Sequence, residues 1–453
     1  MQNFITNFNS KSFDYTTLLA LIVALGLFGI LLLIVPSIYL LSAIVFFIIY
    51  IVLHKYGWFL LLIIAPILAL GFKFSIPIND KWSYDITFAE IILIVVAFIF
   101  VINNIFRIQK NKLKYNLVVI ALGLYLIISL ASFFYAPDKA LFIAGMKVPV
   151  FAFISYTLAR YYLNGQKRLE FFFAGLALTV IIISAQIFIL FYQIGFSSRF
   201  FFERSSLLVP VGAIAFASSI IVMLLPLLFT VYVSRTKIVF RWLALVSFMV
   251  GFLAVCLSLG KGALLSLVIG LLFLFFAIKH KRHHIVWTVV LVAAVFAVVF
   301  APFFEGLLAR LGGTFTDANT SFRLQEYQLS WHIIKDHWFL GIGIGPQIGY
   351  YARFLFPNYN QLANNMIVQV ALDLGLLGLS AFMFIAASLY RTIKIQFDKM
   401  SQRPVILYGI CASVVVSFFN GLVEVTYFGL AYATIFWLLM GVASNIHTLR
   451  DSK

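Results

Sequence analysis

One polar stretch in a strongly apolar chain gathers most of the side chains able to do chemistry. Residues 304–379 hold Arg323, Glu326, His332, Asp336 and His337, then Gly341, Gly343 and Gly345, then Asn364 and Asn365. A guanidinium at a water–lipid boundary suits a clustered anion, because its planar fork binds phosphate oxygens bidentately and stays charged. The rival role for Arg323 is a solvated helix face or a headgroup contact. Glu326 lies one helical turn from Arg323, where it is either a base or the arginine's i,i+3 ion-pair partner. His332 and His337 are five residues apart and face different ways, which argues against a shared metal site. Gly-Ile-Gly-Ile-Gly fits neither the phosphate-loop nor the dinucleotide pattern and reads as a tight turn. Outside the stretch, Arg199 and Arg204 (with Glu203 between them) precede an apolar run, and Lys261 interrupts another. Asp373 falls inside an apolar run, where a carboxylate requires a partner or a cavity. Cys256 and Cys411 both lie in apolar runs, so neither a disulfide framework nor a zinc site is expected.

The elements that must position these groups are membrane helices. Hydrophobic residues make up 64% of the 453 residues and charged ones only 10%, against roughly 45–50% and about 25% in soluble domains. Apolar spans of about 20 residues recur along the chain, as bilayer-crossing helices require. They are too long and too uniform for barrel strands. The expected fold is an all-α polytopic membrane protein of about 12–14 transmembrane helices, one membrane domain over 1–453. Its first spans fall at 16–35, 37–53 and 57–72, and its last at 404–424 and 427–446. The first is read as an uncleaved helix, since no Ala-x-Ala-like site follows it.

Alternate connections carry basic clusters such as KHKRHH at 279–284, which places those connections and both termini on the cytoplasmic side. The net charge of +17 then reports topology and contact with anionic lipids, and gives no reason to invoke nucleic acid. External segments follow at 73–85, 136–146, 194–206 and the long loop 304–363. Within that loop, Thr320–Trp338 has helical periodicity, with Phe322, Leu329 and Ile333 on one side. Trp331 and Trp338 suit a helix lying on the bilayer surface.

Taken together, an arginine, W-x-x-I-x-x-H at 331–337, large apolar residues and G-I-G-I-G resemble the loop of the O-antigen ligase and polymerase superfamily. These are bacterial polytopic membrane glycosyltransferases. Asn364-Asn365, nine residues, Gly375, two leucines and Gly378 are similar in spacing to that superfamily's second signature. SLGKGALLSL at 258–267 resembles its Ser-Arg-Gly-Ala-rich helix start. The resemblance implies an undecaprenyl-diphosphate-linked glycan as donor, a glycan or lipid A core hydroxyl as acceptor, and no metal or other cofactor. It implies an inner-membrane location with the long loop periplasmic. It puts Arg323 at the loop-arginine position, Arg199 or Arg204 at an earlier arginine, and Lys261 where the family has arginine, all for the diphosphate. Gly341, Gly343, Gly345, Asn365, Gly375 and Gly378 fall on signature positions.

One departure is chemical. The second signature begins with histidine, and this chain has Asn364, whose amide orients an acceptor but has no basic lone pair to take its proton. The catalytic set is therefore Arg323 and Asn364 with Glu326 as a candidate base. Two rival readings are a lipid-linked glycan flippase or exporter, and a superfamily member without transfer activity. A transporter would concentrate its polar residues near the bilayer midplane, whereas here they gather at one surface.

Overall fold

The computed structural model describes residues 58–79, 82–106, 116–195, 207–234, 236–278, 282–301, 318–345, 363–399, 405–424 and 426–446. The spans expected at 16–35 and 37–53, and Arg199, Glu203 and Arg204, lie outside the described residues.

In chain order the helices run α1 Trp58–Leu70, α2 Phe88–Phe106, α3 Leu117–Ala131, α4 Lys139–Tyr162, α5 Gln166–Gln193, α6 Ile214–Val233, α7 Ile238–Ser258, α8 Lys261–Ala277 and α9 Arg282–Phe300. Then come α10 Ala318–Asp336, α11 Met366–Lys399, α12 Val405–Gly421 and α13 Leu430–Ala443. Among the described residues, six helices are long and apolar enough to cross a bilayer, and α1, α2, α8, α12 and α13 contribute shorter apolar helices. Large apolar side chains such as Ile127, Val239, Phe276 and Met383 are exposed, as expected where lipid is the solvent. The fold is all-α and polytopic.

The buried centre is α6, of which nearly every residue is enclosed. It packs against α5, α7, α8 and α12, while α13 packs on α4 and α11 on α3. Small residues permit the close approach: Gly251 of α7 faces Val180 and Ile221, and Gly409 of α12 faces Thr230. At the end opposite the site described below, Tyr156 joins Asn116 to Ser444, and Gln396 donates to the Ser444 carbonyl.

Two segments expected as external loop are ordered differently. Residues 73–85 fall largely in an antiparallel hairpin, β1 Lys73–Asn79 with β2 Trp82–Thr87, because KFSIPIN and WSYDIT alternate with the period of a strand. The segment 136–146 is mostly the first two turns of α4. Asp138 caps that helix by accepting from the amides of Ala140 and Leu141.

α11 is broken at Gly375, whose φ of 58° and ψ of −150° are non-helical. The break exchanges partners with the glycine series. Leu372 and Asp373 offer their carbonyls to the amides of Ile342 and Gly343, both at 2.8 Å. Leu376 and Leu377, which those carbonyls would have served in an intact helix, donate instead to Trp338 and Phe339 at 2.8 and 3.3 Å. These four backbone groups freed by the break thus find partners, as a membrane interior demands. Residues 341–345 are buried, so the glycines, read as a tight turn, lock the loop onto α11.

Candidate functional site

Five polar side chains meet at one end of the helix layer, each placed by a helix terminus. Arg323 and Glu326 project from α10, Asn364 and Asn365 precede α11, and Glu424 follows α12. A helix that ends leaves its last carbonyls without intrahelical donors. In the turn just past α12 two site residues supply such donors: Asn365 Nδ2 reaches the Leu422 carbonyl at 3.0 Å, and Arg323 Nη1 reaches that of Val423 at 3.0 Å. Arg323 Nη2 pairs with Glu424 Oε1 at 2.9 Å.

This differs from the i,i+3 Arg323–Glu326 pair expected of an isolated helix. The orphan carbonyls and the negative end of α12 draw the guanidinium across to that helix. Glu326 turns the other way. It is fully buried and accepts from both the backbone amide and Nδ2 of Asn364, each at 2.9 Å. Tyr327 donates to the Asn364 carbonyl at 3.1 Å. Asn364 is therefore gripped on three sides. Burial pushes the Glu326 carboxyl above its ordinary value, opposed by the Asn364 hydrogen bonds and by the positive charge of Arg323.

Asn365 caps α11 by accepting from the amides of Ile367 and Val368 at 2.9 and 3.2 Å. Removing its side chain loses the cap and the Leu422 bond together. Asn365→Ala should therefore cost about 2 kcal/mol, read as a lower melting temperature in detergent. Asn365→Asp should fall between, because it keeps the acceptor and loses the donor.

The other candidates are placed as follows. Lys261 is the first residue of α8, and Gly262 beside it lies against Val423, the residue that anchors Arg323. Asp373 is buried deeper along α11, where its carboxylate accepts from Gln369 Nε2 at 3.0 Å. Gly378 lies one turn beyond the break, where a Cβ would strike the Leu374 side chain. His332 and His337 are exposed. The sequence does not single out Glu424, which falls at the edge of an apolar run; its only signal is a lone acid in GLVEVTYF.

An apolar cavity of about 560 Å³ starts beside this site. Its lining begins at Met366, directly after Asn364-Asn365, passes Phe382, Leu389, Val414 and Trp437, and reaches Lys394. An unbroken helix of that many residues would run roughly 40 Å, the scale of a full bilayer.

A multi-pass helical membrane protein with an arginine–carboxylate pair and a buried carboxylate–amide pair at one end of its helices is the class this geometry defines. Residues 244–383 match the O-antigen ligase family, a span that runs from α7 into α11 and contains Lys261, Arg323, Glu326, Asn364 and both glycine signatures. The match supports membership of the O-antigen ligase and polymerase superfamily, and in general a glycosyltransferase acting on lipid-linked glycans and their acceptors. No curated protein matches the chain.

Proposed function

We propose that this protein transfers a glycan from undecaprenyl diphosphate to an acceptor hydroxyl at the outer face of the bacterial inner membrane. The observation that carries the reading is the convergence of the Arg323–Glu424 and Glu326–Asn364 pairs on the helix ends beside an apolar cavity. Arg323, with two of its five N–H donors turned inward, keeps others for the diphosphate, and Lys261 adds charge from α8. Arg199 and Arg204 are proposed for the same leaving group. The cavity suits the isoprenoid chain.

In the reaction, the acceptor oxygen attacks the anomeric carbon and the carbon–oxygen bond to diphosphate breaks, with inversion. The acceptor proton passes to Glu326. Asn364 holds the hydroxyl and Glu326 in register. Each Glu326 oxygen accepts one bond from Asn364 and so retains a lone pair. A buried carboxyl with a raised pKa is a better base near neutrality than an ordinary one.

Purified protein given polyprenyl-diphosphate glycan and acceptor without metal should yield transferred or elongated glycan, and the product separates ligase from polymerase. Transfer should rise with pH along a limb displaced above the ordinary carboxyl value of 4.5. Glu326→Gln should lose at least about a hundredfold. A raised carboxyl pKa also means the folded chain binds the proton more tightly than the unfolded one. Stability should therefore fall as pH rises from about 4.5 through the folded value, and Glu326→Gln should flatten that slope. Donor binding without any transfer would move the reading to a glycan-lipid carrier.

A further inference from the structure

Asn420 lies one residue before the end of α12 and is fully buried. Neither its Oδ1 nor its Nδ2 has a hydrogen-bond partner among the described residues. Such groups are rare in folded proteins and call for an explanation. The amide sits at the start of α8: its Oδ1 is 3.9 Å from the place a Cβ would occupy on Gly262. That helix start has no side-chain cap at Gly260. It follows Leu259, a non-glycine residue held at φ 47°, a conformation that costs energy and persists where the surroundings enforce it. Uncapped amides and the positive end of a helix attract anions, and Lys261 stands on the same turn. Val423 packs against Gly262 and anchors Arg323 through its carbonyl, so the start of α8 adjoins the proposed transfer site.

We propose that Asn420, the N-terminal amides of α8 and Lys261 form the seat of one phosphate of the diphosphate substrate, with Asn420 donating from Nδ2. The proposal rests on the reading of this site as a diphosphate-dependent transferase and adds a contact that no sequence motif singles out. The amide is assigned to the ligand because the described residues leave it unbonded.

The test is thermal unfolding of the full-length protein in detergent, titrated with inorganic diphosphate against chloride at matched ionic strength. Diphosphate should raise the melting temperature of the wild type. Asn420→Leu, nearly isosteric and apolar, should melt no lower than wild type without diphosphate. It should nevertheless need at least tenfold more diphosphate for the half-maximal shift, and Asn420→Asp should lose the response. Wild-type protein indifferent to diphosphate would overturn the proposal, as would Asn420→Leu that binds like wild type. A much lower melting temperature of Asn420→Leu without ligand would overturn it too, since the amide would then serve the fold itself. Glycan transfer separates this inference from the reading beneath it. Transfer with an unchanged donor KM in Asn420→Leu removes the Asn420 contact and leaves the transferase reading. Diphosphate binding lost in Asn420→Leu, with no transfer by wild type, keeps the seat and removes the transferase.

Discussion

Arg323→Lys should lower transfer by about a hundredfold to a thousandfold although the positive charge at that position is kept. The loss is the size expected when a preorganised donor to a developing negative charge is removed. Arg323 does two tasks at once. Nη1 and Nη2 hold the end of α12 through Val423 and Glu424, and in the proposed reaction the remaining N–H groups meet the leaving diphosphate. An ammonium on a flexible stem cannot span both, because it offers a point charge in place of a planar fork. Arg323→Ala adds a structural penalty by leaving Glu424 without its partner. With side chains 36% and 24% exposed, the pair is partly screened by solvent, so that penalty should be about 1–2 kcal/mol, below the value for a buried pair. Glu424→Gln separates the two tasks: it keeps an acceptor for Nη2 and should melt close to wild type. Initial rates and melting temperatures measured on the same preparations decide the matter. Equal transfer by wild type and Arg323→Lys would sink the bidentate clamp.

The residues of this site were more legible in the sequence than their partnerships. Arg323, Glu326 and Asn364 stand out because polar groups are few and lie in one interval, and the helical spans follow from long apolar runs. What α10 faces is another matter. Local spacing puts Glu326 beside Arg323, yet the orphan carbonyls of α12, some hundred residues further along the chain, take the arginine. Only tertiary packing brings that helix end close, and no periodicity encodes it. Glu424 was hidden for the same reason: its role depends on which turn it meets. The hairpin at 73–87 was readable from its alternation and was masked by the apolar runs on either side. Gly-Ile-Gly-Ile-Gly signals unusual backbone, but whether such backbone makes a turn or docks into a broken helix depends on Gly375, thirty residues later.

That docking yields the largest stability effect expected here. Gly375→Ala should leave little or no monodisperse folded protein. Its φ of 58° with ψ of −150° lies where essentially only glycine is found, and a side chain there costs about 1–3 kcal/mol in strain alone. A Cβ would also stand 2.5 Å from the carbonyl carbon of Phe339, backbone that cannot yield without breaking the interlock. Parting the two segments orphans the bonds of Ile342, Gly343, Leu376 and Leu377 where no water replaces them. At about 1 kcal/mol net for each bond and more for each group left unpaired, the loss should exceed about 4 kcal/mol. Gly341→Ala meets the same wall from the other side, with its Cβ 2.5 Å from the carbonyl carbon of Asp373, and should fail equally. The control is Gly165→Ala at the start of α5. Its φ of 89° is also left-handed, but nothing lies within 4 Å of the added Cβ, so only backbone strain is at stake. Size-exclusion melting curves in detergent should show Gly165→Ala folded with a lowered midpoint, and Gly375→Ala and Gly341→Ala aggregated. If all three melt alike, the threading of the glycine series through α11 does not hold this protein together. The left-handed backbone alone would then explain why glycines stand there.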